Sequence, residues 1–375
     1  MEFIKPQVLD LTIDQLKELI ASWGVRPYRS GQLLQWIYKK SAASFEEMTD
    51  LPYDFRQKLT TEAELFSLTP LEEKVSSDGQ TRKMLFQLED GKTIESTLMF
   101  YENTGSGRER RTVCISTQVG CPMGCYFCAT GQQGFERNLR PGEIIEQVLY
   151  FIRFIKKQAP TEDHELSRKA ITNVVLMGMG EPLANYDNVR QAIIRLNARD
   201  GLELGARQIT LSTAGLAPQI RRLADESLHL ELAISLHAAN NKLRNSIMPI
   251  NEKYPLEQLI PACLEYLEKT GRRPTFEYAL FQGINDSPED ARQLAALLHG
   301  LNCSVNIIVG NPTACQEFRS SALAKAVEFQ KELFAGGIFN TIRVSRGTDI
   351  EAGCGQLKSR FISRGAAKTP GQQDT

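Results

Sequence analysis

Apolar residues follow three successive spacings along this chain, and each spacing predicts a different kind of structure. Over residues 12–64 they recur three and four apart. Leu16, Leu19, Ile20 and Trp23 share one helical face behind Thr12 and Gln15, which stand in capping-box spacing. Leu33, Leu34, Trp36 and Ile37 place a second helix over 30–40, and a third fits 51–64 after Asp50. Residues 1–66 therefore read as a compact helical unit.

From 69 to 101 the period shortens to that of strands. The segments LEEKVSS, RKMLFQL and TIESTLMFY are separated by Asp78-Gly79 and Asp90-Gly91, dipeptides that favour tight hairpins. This predicts a small β-meander linker over 67–104, with Glu95 on its last strand. The polar stretch ENTGSGRERR after it reads as a loop.

Beyond residue 105 strands and helices alternate. Strands fit 111–118, 171–177, 208–212, 230–236, 275–281 and 305–309; helices fit 142–157, 186–198, 217–225, 255–270, 288–299 and 320–335. Ile144, Ile145, Val148, Leu149, Ile152 and Ile155 give the first helix one buried face. Six strand–helix units and a seventh strand over 340–345 imply parallel strands with right-handed crossovers. An α/β fold follows, a partial (β/α)6 barrel over 105–357, with chemistry expected at the C-terminal ends of its strands. Residues 358–375 read as a partly disordered tail.

Composition changes this picture little. The 375 residues carry a formal charge of −1, so no overall positive field marks a nucleic-acid binder, and any such contact needs local patches. Arg26 with Arg29, Lys39 with Lys40, the arginines at 108–111, Arg221 with Arg222, and Arg272 with Arg273 are such patches, although each pair alone reads as a solvated face. The first residues lack the basic start and apolar run of a signal peptide, and no apolar run approaches a membrane span. A cytoplasmic protein is expected, and there eight cysteines serve as ligands, catalysts or buried thiols more often than as disulfides.

Three of them, Cys121, Cys125 and Cys128, form Cys-x3-Cys-x2-Cys directly after the first barrel strand. Thiolates are the usual ligands of iron–sulfur clusters, and three ligands leave the fourth iron open to a substrate or cofactor. Zinc is the alternative, with Cys114 or His237 completing a tetrahedron. Cys354, between Gly353 and Gly355, reads as an approachable sulfur. Cys263 and Cys303 fall on apolar faces and read as core thiols, whereas Cys315, His164, His229 and His299 gain no role.

The cysteine motif, with Phe127 before its last member, resembles the signature of the radical S-adenosylmethionine (SAM) superfamily. Six further stretches narrow the likeness: GQQGFERNL (131–139), LMGMGEPLANYDNV (176–189), SLHA (235–238), MPIN (248–251), EYALFQGINDS (277–287) and RGTDIEAGCGQL (346–357). They resemble the dual-specificity adenine-C2 RNA methyltransferases of that superfamily, and RPYRSGQLLQWIYKK (26–40) resembles their N-terminal helical domain. The resemblance spans nearly the whole chain, except the tail and a 102–110 loop longer than usual for the family.

What the resemblance implies is specific. One [4Fe-4S] cluster on Cys121, Cys125 and Cys128 would chelate SAM and cleave it to an adenosyl radical. Gly180, Glu181, Ser212, Ser235, Leu236, His237 and Asn311 match SAM contacts. Cys354 matches the cysteine that takes a methyl group from a first SAM, so that two SAM molecules serve one turnover in ping-pong fashion. Glu95 matches the base that removes the C2 proton from the RNA adduct, although its residue type alone suggests an exposed strand carboxylate. Cys114 matches the thiol that releases the product through a transient Cys114–Cys354 disulfide. The implied substrates are C2 of adenine 2503 in 23S rRNA and of adenine 37 in tRNAs. An electron donor such as flavodoxin, a monomeric state and no membrane contact complete the expectation.

Three other readings stay open at this level. C8-methylating antibiotic-resistance enzymes share counterparts of Cys114, Cys354 and Glu95, but Gln132-Gln133-Gly134-Phe135 and the N-terminal unit favour the C2 branch. A zinc-binding RNA module needs no Cys354. An activase acting on a partner protein shares the cluster but leaves Cys114 and Cys354 unused.

Overall fold

The computed structural model describes residues 5–101, 109–158, 170–309, 311, 317–343 and 345–358. Cys315, His164, most of the 102–110 loop and the tail from 359 lie outside the described residues.

The N-terminal helices form where the apolar spacing puts them. Thr12 Oγ1 accepts from the Gln15 N–H at 3.3 Å while the Thr12 N–H donates to the Gln15 side chain at 2.9 Å, and this closed box starts Ile13–Ser22. The second helix runs Arg29–Leu34, widens into π winding over Gln35–Lys40 and stops at Ser41 in left-handed backbone. The third is Tyr53–Glu62. Leu16, Ile20, Leu33, Ile37 and Leu59 belong to the same continuous core as the barrel helices.

Strands β1 (Thr69–Val75), β2 (Thr81–Gln87) and β3 (Thr93–Tyr101) form the expected antiparallel meander, with Gly79 and Gly91 at φ 70° and 79° in its turns. The meander is more than a linker, because β3 pairs antiparallel with β4 (Arg110–Cys114) and so extends the barrel sheet. The expected first strand over 111–118 breaks after Cys114. Thr117 and Gln118 donate their N–H groups to the Met179 carbonyl, and the chain peels away into β5 (Gln118–Gly120), which pairs with β6 (Phe135–Asn138) in a separate hairpin.

The rest of the alternation holds. β7 (Asn173–Leu176), β8 (Ile209–Thr213), β9 (Glu231–Ser235), β10 (Thr275–Leu280), β11 (Ser304–Val309) and β12 (Asn340–Arg343) follow β4 in chain order, every neighbour parallel. The ten-stranded sheet runs β1-β2-β3-β4-β7-β8-β9-β10-β11-β12 and stays open, so the parallel part is a partial barrel.

The helix Pro141–Gln158 is buried on more than the one face its pattern gives. Ile144, Ile145, Val148 and Leu149 pack fully buried in the core, each worth about 1.5–3 kcal/mol. Its polar positions are covered too: the Gly142 N–H donates to Asp10 at 2.8 Å, and Glu146 accepts from the Ser67 and Leu68 N–H groups at 2.7 and 3.0 Å. This helix therefore joins the N-terminal unit to the sheet.

Candidate active site

Cys121, Cys125 and Cys128 lie in the loop between β5 and β6 and line a cavity of about 170 Å³ at the C-terminal ends of the parallel strands. Burial pushes the Cys121 thiol up to about 12 and the Cys125 thiol well above its ordinary value, where the charges of Cys128 and Cys121 add to the effect. Among the described residues no three His, Cys, Asp or Glu side chains close on a single metal position. Three soft sulfurs lining one cavity, Cys125 buried and Cys121 and Cys128 half-buried, fit a polynuclear iron–sulfur group that shares its positive charge among them.

The residues matched to SAM contacts, Leu236 apart, line the same cavity. Gly180 holds φ 105°, and a Cβ there would come within 2.6 Å of the Gln118 side chain, so glycine is required. Burial raises the Glu181 carboxyl to about 7, although its oxygens accept from the N–H groups of Ala214 at 2.7 Å and Leu183 at 3.0 Å. His237 is held neutral: burial first, then Arg244, lowers it to about 3. Its Nδ1 accepts from the Ala279 N–H at 2.9 Å, which leaves the proton on Nε2. Ser212, Ser235 and Asn311 complete the set, whereas the Leu236 side chain is fully buried and does not line the cavity.

Cys354 occupies the turn after β12, exposed into two cavities. One is the cavity of the three cysteines; the other, smaller, is lined by Cys114, Met177, Tyr101 and Arg343. Burial pushes the Cys114 thiol up to about 12, and the neighbouring Cys354 adds to it. The turn is anchored to the cysteine loop, since the Ala129 N–H donates to the Gly355 carbonyl at 2.8 Å and Thr130 Oγ1 to the Leu357 carbonyl at 2.7 Å. Asn311 Nδ2 donates to the Cys354 carbonyl at 3.0 Å.

Glu95 is not the exposed strand carboxylate its residue type suggests. It is buried on β3, off the walls of both cavities, with one oxygen 3.1 Å from Lys83 Nζ and the other accepting from the Lys358 N–H at 2.8 Å. Cys263 and Cys303 are buried, as their patterns predict.

Sequence reasoning missed several residues. Arg244 is fully buried, and its guanidinium donates to the carbonyls of Ala214 at 2.7 Å, Ser235 at 3.2 Å and Leu236 at 3.1 Å and to Asn251 at 2.7 Å. It ties together the ends of β8 and β9 where the cavity begins. Gln147 and Ser116 connect the long helix to the backbone of Glu95: Gln147 Oε1 accepts from the Ser116 N–H at 2.8 Å, and Ser116 Oγ donates to the Glu95 carbonyl at 2.6 Å. Glu277, buried on the cavity wall, accepts from Asn306 through Oε1, while its Oε2 meets no hydrogen-bond partner among the described residues. An arginine or glutamine of this kind carries no periodic signal; MPIN, which holds Asn251, SLHA, which holds Ser235 and Leu236, and EYALFQGINDS, which opens at Glu277, pointed to the region but not to these contacts.

Beside the smaller cavity opens a wider one lined by Tyr101, Arg110, Arg343 and Arg346, together with Asp78 and Asp349. Arg110 and Arg346 stack on Tyr101 at 4.5 and 4.6 Å from its ring centre. In the helical unit Lys40 lies 3.5 Å over the Trp36 ring, and Tyr28 is exposed beside Arg29. Other basic residues are taken up by carboxylates, Arg221 by Glu265 and Arg222 by Asp187 among them.

An open parallel barrel whose first strand leads through a short hairpin strand into a three-cysteine loop defines a radical SAM enzyme, and the radical SAM superfamily model matches residues 115–295. The model of the ribosomal RNA large subunit methyltransferase N-terminal domain matches residues 7–65. Probable dual-specificity RNA methyltransferases RlmN of Dictyoglomus turgidum and Moorella thermoacetica are 44% and 48% identical, over 95% and 93% of this chain and 97% and 96% of theirs. The crystal structure of a radical SAM methyltransferase from Sphaerobacter thermophilus superposes with a TM-score of 0.87 at 45% identity, covering 94% of this chain and 99% of that one. The chain belongs to the RlmN family of dual-specificity RNA methyltransferases. Superfamily membership implies a [4Fe-4S] cluster and SAM, and family membership implies RNA substrates. Among the described residues no helix is long and apolar enough to cross a membrane.

Proposed function

We propose that this enzyme methylates C2 of adenine 2503 in 23S rRNA and of adenine 37 in tRNAs, through an S-methylated Cys354 and two SAM molecules per turnover. The observation that carries the reading is the position of Cys354, which faces the cavity of the three cluster cysteines on one side and Cys114 on the other. A single sulfur so placed serves both halves of a methyl relay.

Cys121, Cys125 and Cys128 would hold the cluster, and Gly180, Glu181, Ser212, Ser235, His237 and Asn311 the SAM. Leu236 contributes through its backbone, which Arg244 and Glu277 hold in place. When bound, the cluster and SAM supply one-electron chemistry that activates an otherwise inert methyl group. Adenine C2 is too poor a nucleophile for direct transfer from a sulfonium, which is why the methyl rests first on Cys354.

Glu95 takes the C2 proton of the RNA adduct. The Cys114 thiolate then attacks the Cys354 sulfur: an S–S bond forms, the bond from Cys354 to the RNA methylene breaks, and its electron pair goes to that carbon, which gains a proton to become the methyl group. An external thiol reductant reopens the disulfide. A flavodoxin-type protein donates electrons, and the enzyme acts as a cytoplasmic monomer. The arginines around Tyr101 receive the RNA backbone, and the target base turns out of its stack to reach Cys354.

Mass spectrometry of RNA from cells producing the enzyme tests the reading. Methyl at adenine C2 is expected; methyl at C8 assigns the chain to the other branch of this chemistry.

A further inference from the structure

Two charged side chains on neighbouring strands are buried together. Lys83 on β2 and Glu95 on β3 are each 3% exposed, with Lys83 Nζ 3.1 Å from Glu95 Oε1. The strand register pairs Lys83 with Thr97, so the ammonium meets Glu95 diagonally, two residues along the same face. Both groups also reach the turn that carries Cys354. Lys83 Nζ donates to the Glu351 carbonyl at 3.0 Å, three residues before Cys354, and Glu95 Oε2 accepts from the Lys358 N–H at 2.8 Å, four residues after it.

A carboxylate buried this deeply has lost its hydration, and an isolated one takes up a proton rather than stay charged. Once protonated it has no capacity to act as a base. An ammonium in contact reverses the preference, because opposite charges in a poorly polarisable interior stabilise one another strongly. Such a pair contributes little net stability compared with apolar residues in its place. What it supplies is a carboxylate in one protonation state and one position.

We propose that Lys83 is a positioning residue of the methyl-transfer reaction, keeping Glu95 ionised beside the Cys354 turn until the carboxylate leaves its buried position to receive the C2 proton. The inference rests on the role proposed above for Glu95. In that step the C2–H bond breaks, its electron pair stays in the purine ring, and the proton passes to a Glu95 oxygen. Lys83 keeps its own proton throughout and retains the Glu351 carbonyl as acceptor when the carboxylate is neutralised.

The test compares Lys83→Met, Lys83→Arg and Glu95→Gln in the full-length, cluster-loaded enzyme. It reads S-methylation of Cys354 by mass spectrometry, RNA affinity, and the breakdown rate of the covalent RNA–protein adduct on denaturing gels. Lys83→Met is expected to methylate Cys354 and bind RNA within about twofold of the parent, yet to resolve the adduct at least about tenfold more slowly. Lys83→Arg restores most of the rate. Glu95→Gln traps the adduct, and adding Lys83→Met to it slows nothing further. Parental adduct breakdown in Lys83→Met, with Glu95→Gln still trapping, overturns the role of Lys83 and leaves that of Glu95 standing. Normal breakdown in Glu95→Gln overturns both. If Lys83→Met loses Cys354 methylation through misfolding, Lys83→Gln keeps a donor for Glu351 without the charge and is read by the same criteria.

Discussion

Cys114, the last residue of β4, and Cys354, in the turn after β12, line one small cavity although strands from opposite ends of the parallel sheet bring them there. Only Cys354 also faces the cavity of the cluster cysteines. Under the proposed methyl relay the two sulfurs would divide one task, Cys354 taking part in making the adduct and Cys114 in releasing it.

Replacing Cys114 with Ala should stop the reaction after the adduct forms. Denaturing gels are expected to show RNA covalently attached to the protein, and further replacement of Cys354 by Ala should abolish that band. Free RNA product from Cys114→Ala would remove the resolving role.

Cys125→Ala should take away the cluster. An anaerobically reconstituted parent is expected to be brown, and the variant to lose most of its visible absorbance and bound iron. Zinc retained by a colourless parent would instead support the zinc-module alternative.

The shift of Cys114 sets a pH dependence. With its thiol pushed up to about 12 by burial and by Cys354, only a small fraction is thiolate near neutrality, and that fraction grows about tenfold per pH unit below 12. Alkylation of Cys114 by iodoacetamide, followed by peptide mapping, should be slow at about pH 8 and still rising at about pH 10, where a free thiol of pKa about 8.5 has levelled off. The folded protein holds this proton longer than the unfolded chain, so the contribution to stability is full below about 9 and is lost as pH rises toward about 12.

Arg110 and Arg346 stand on either hand of Tyr101 at the opening beside Cys354. Changing both to Ala should weaken RNA binding for every sequence alike and reduce the slope of log affinity against log salt by about one per arginine. Filter binding at several salt concentrations measures this; an unchanged slope would place the RNA backbone elsewhere.

Arg244→Met should destabilise the cluster-free protein by about 3 kcal/mol, because it takes a buried donor from the carbonyls of Ala214, Ser235 and Leu236, of which Leu236 keeps the Ala238 N–H. Urea unfolding gives the value. A near-neutral effect would mean that water takes the place of the guanidinium.

What the sequence by itself determined was the order of the parts. Local periodicity places β4 and β7 to β12 in sequential parallel order, and the closed Thr12–Gln15 box starts the first helix where its residues announce it. The spacing of Cys121, Cys125 and Cys128 puts three sulfurs in one short loop, because a few residues do not reach far. Tertiary structure decided the relationships that no local pattern encodes. That β3 pairs with the barrel strand β4 is a sheet contact that periodicity does not specify; that Lys83 and Glu95 are buried as a pair under the Cys354 turn, and that Arg244 joins two strand ends, depend on segments far apart in the chain closing over a charge and excluding water from it. The same long-range packing brings Cys354 between the cluster cysteines and Cys114, and sequence separation alone carries no trace of that distance.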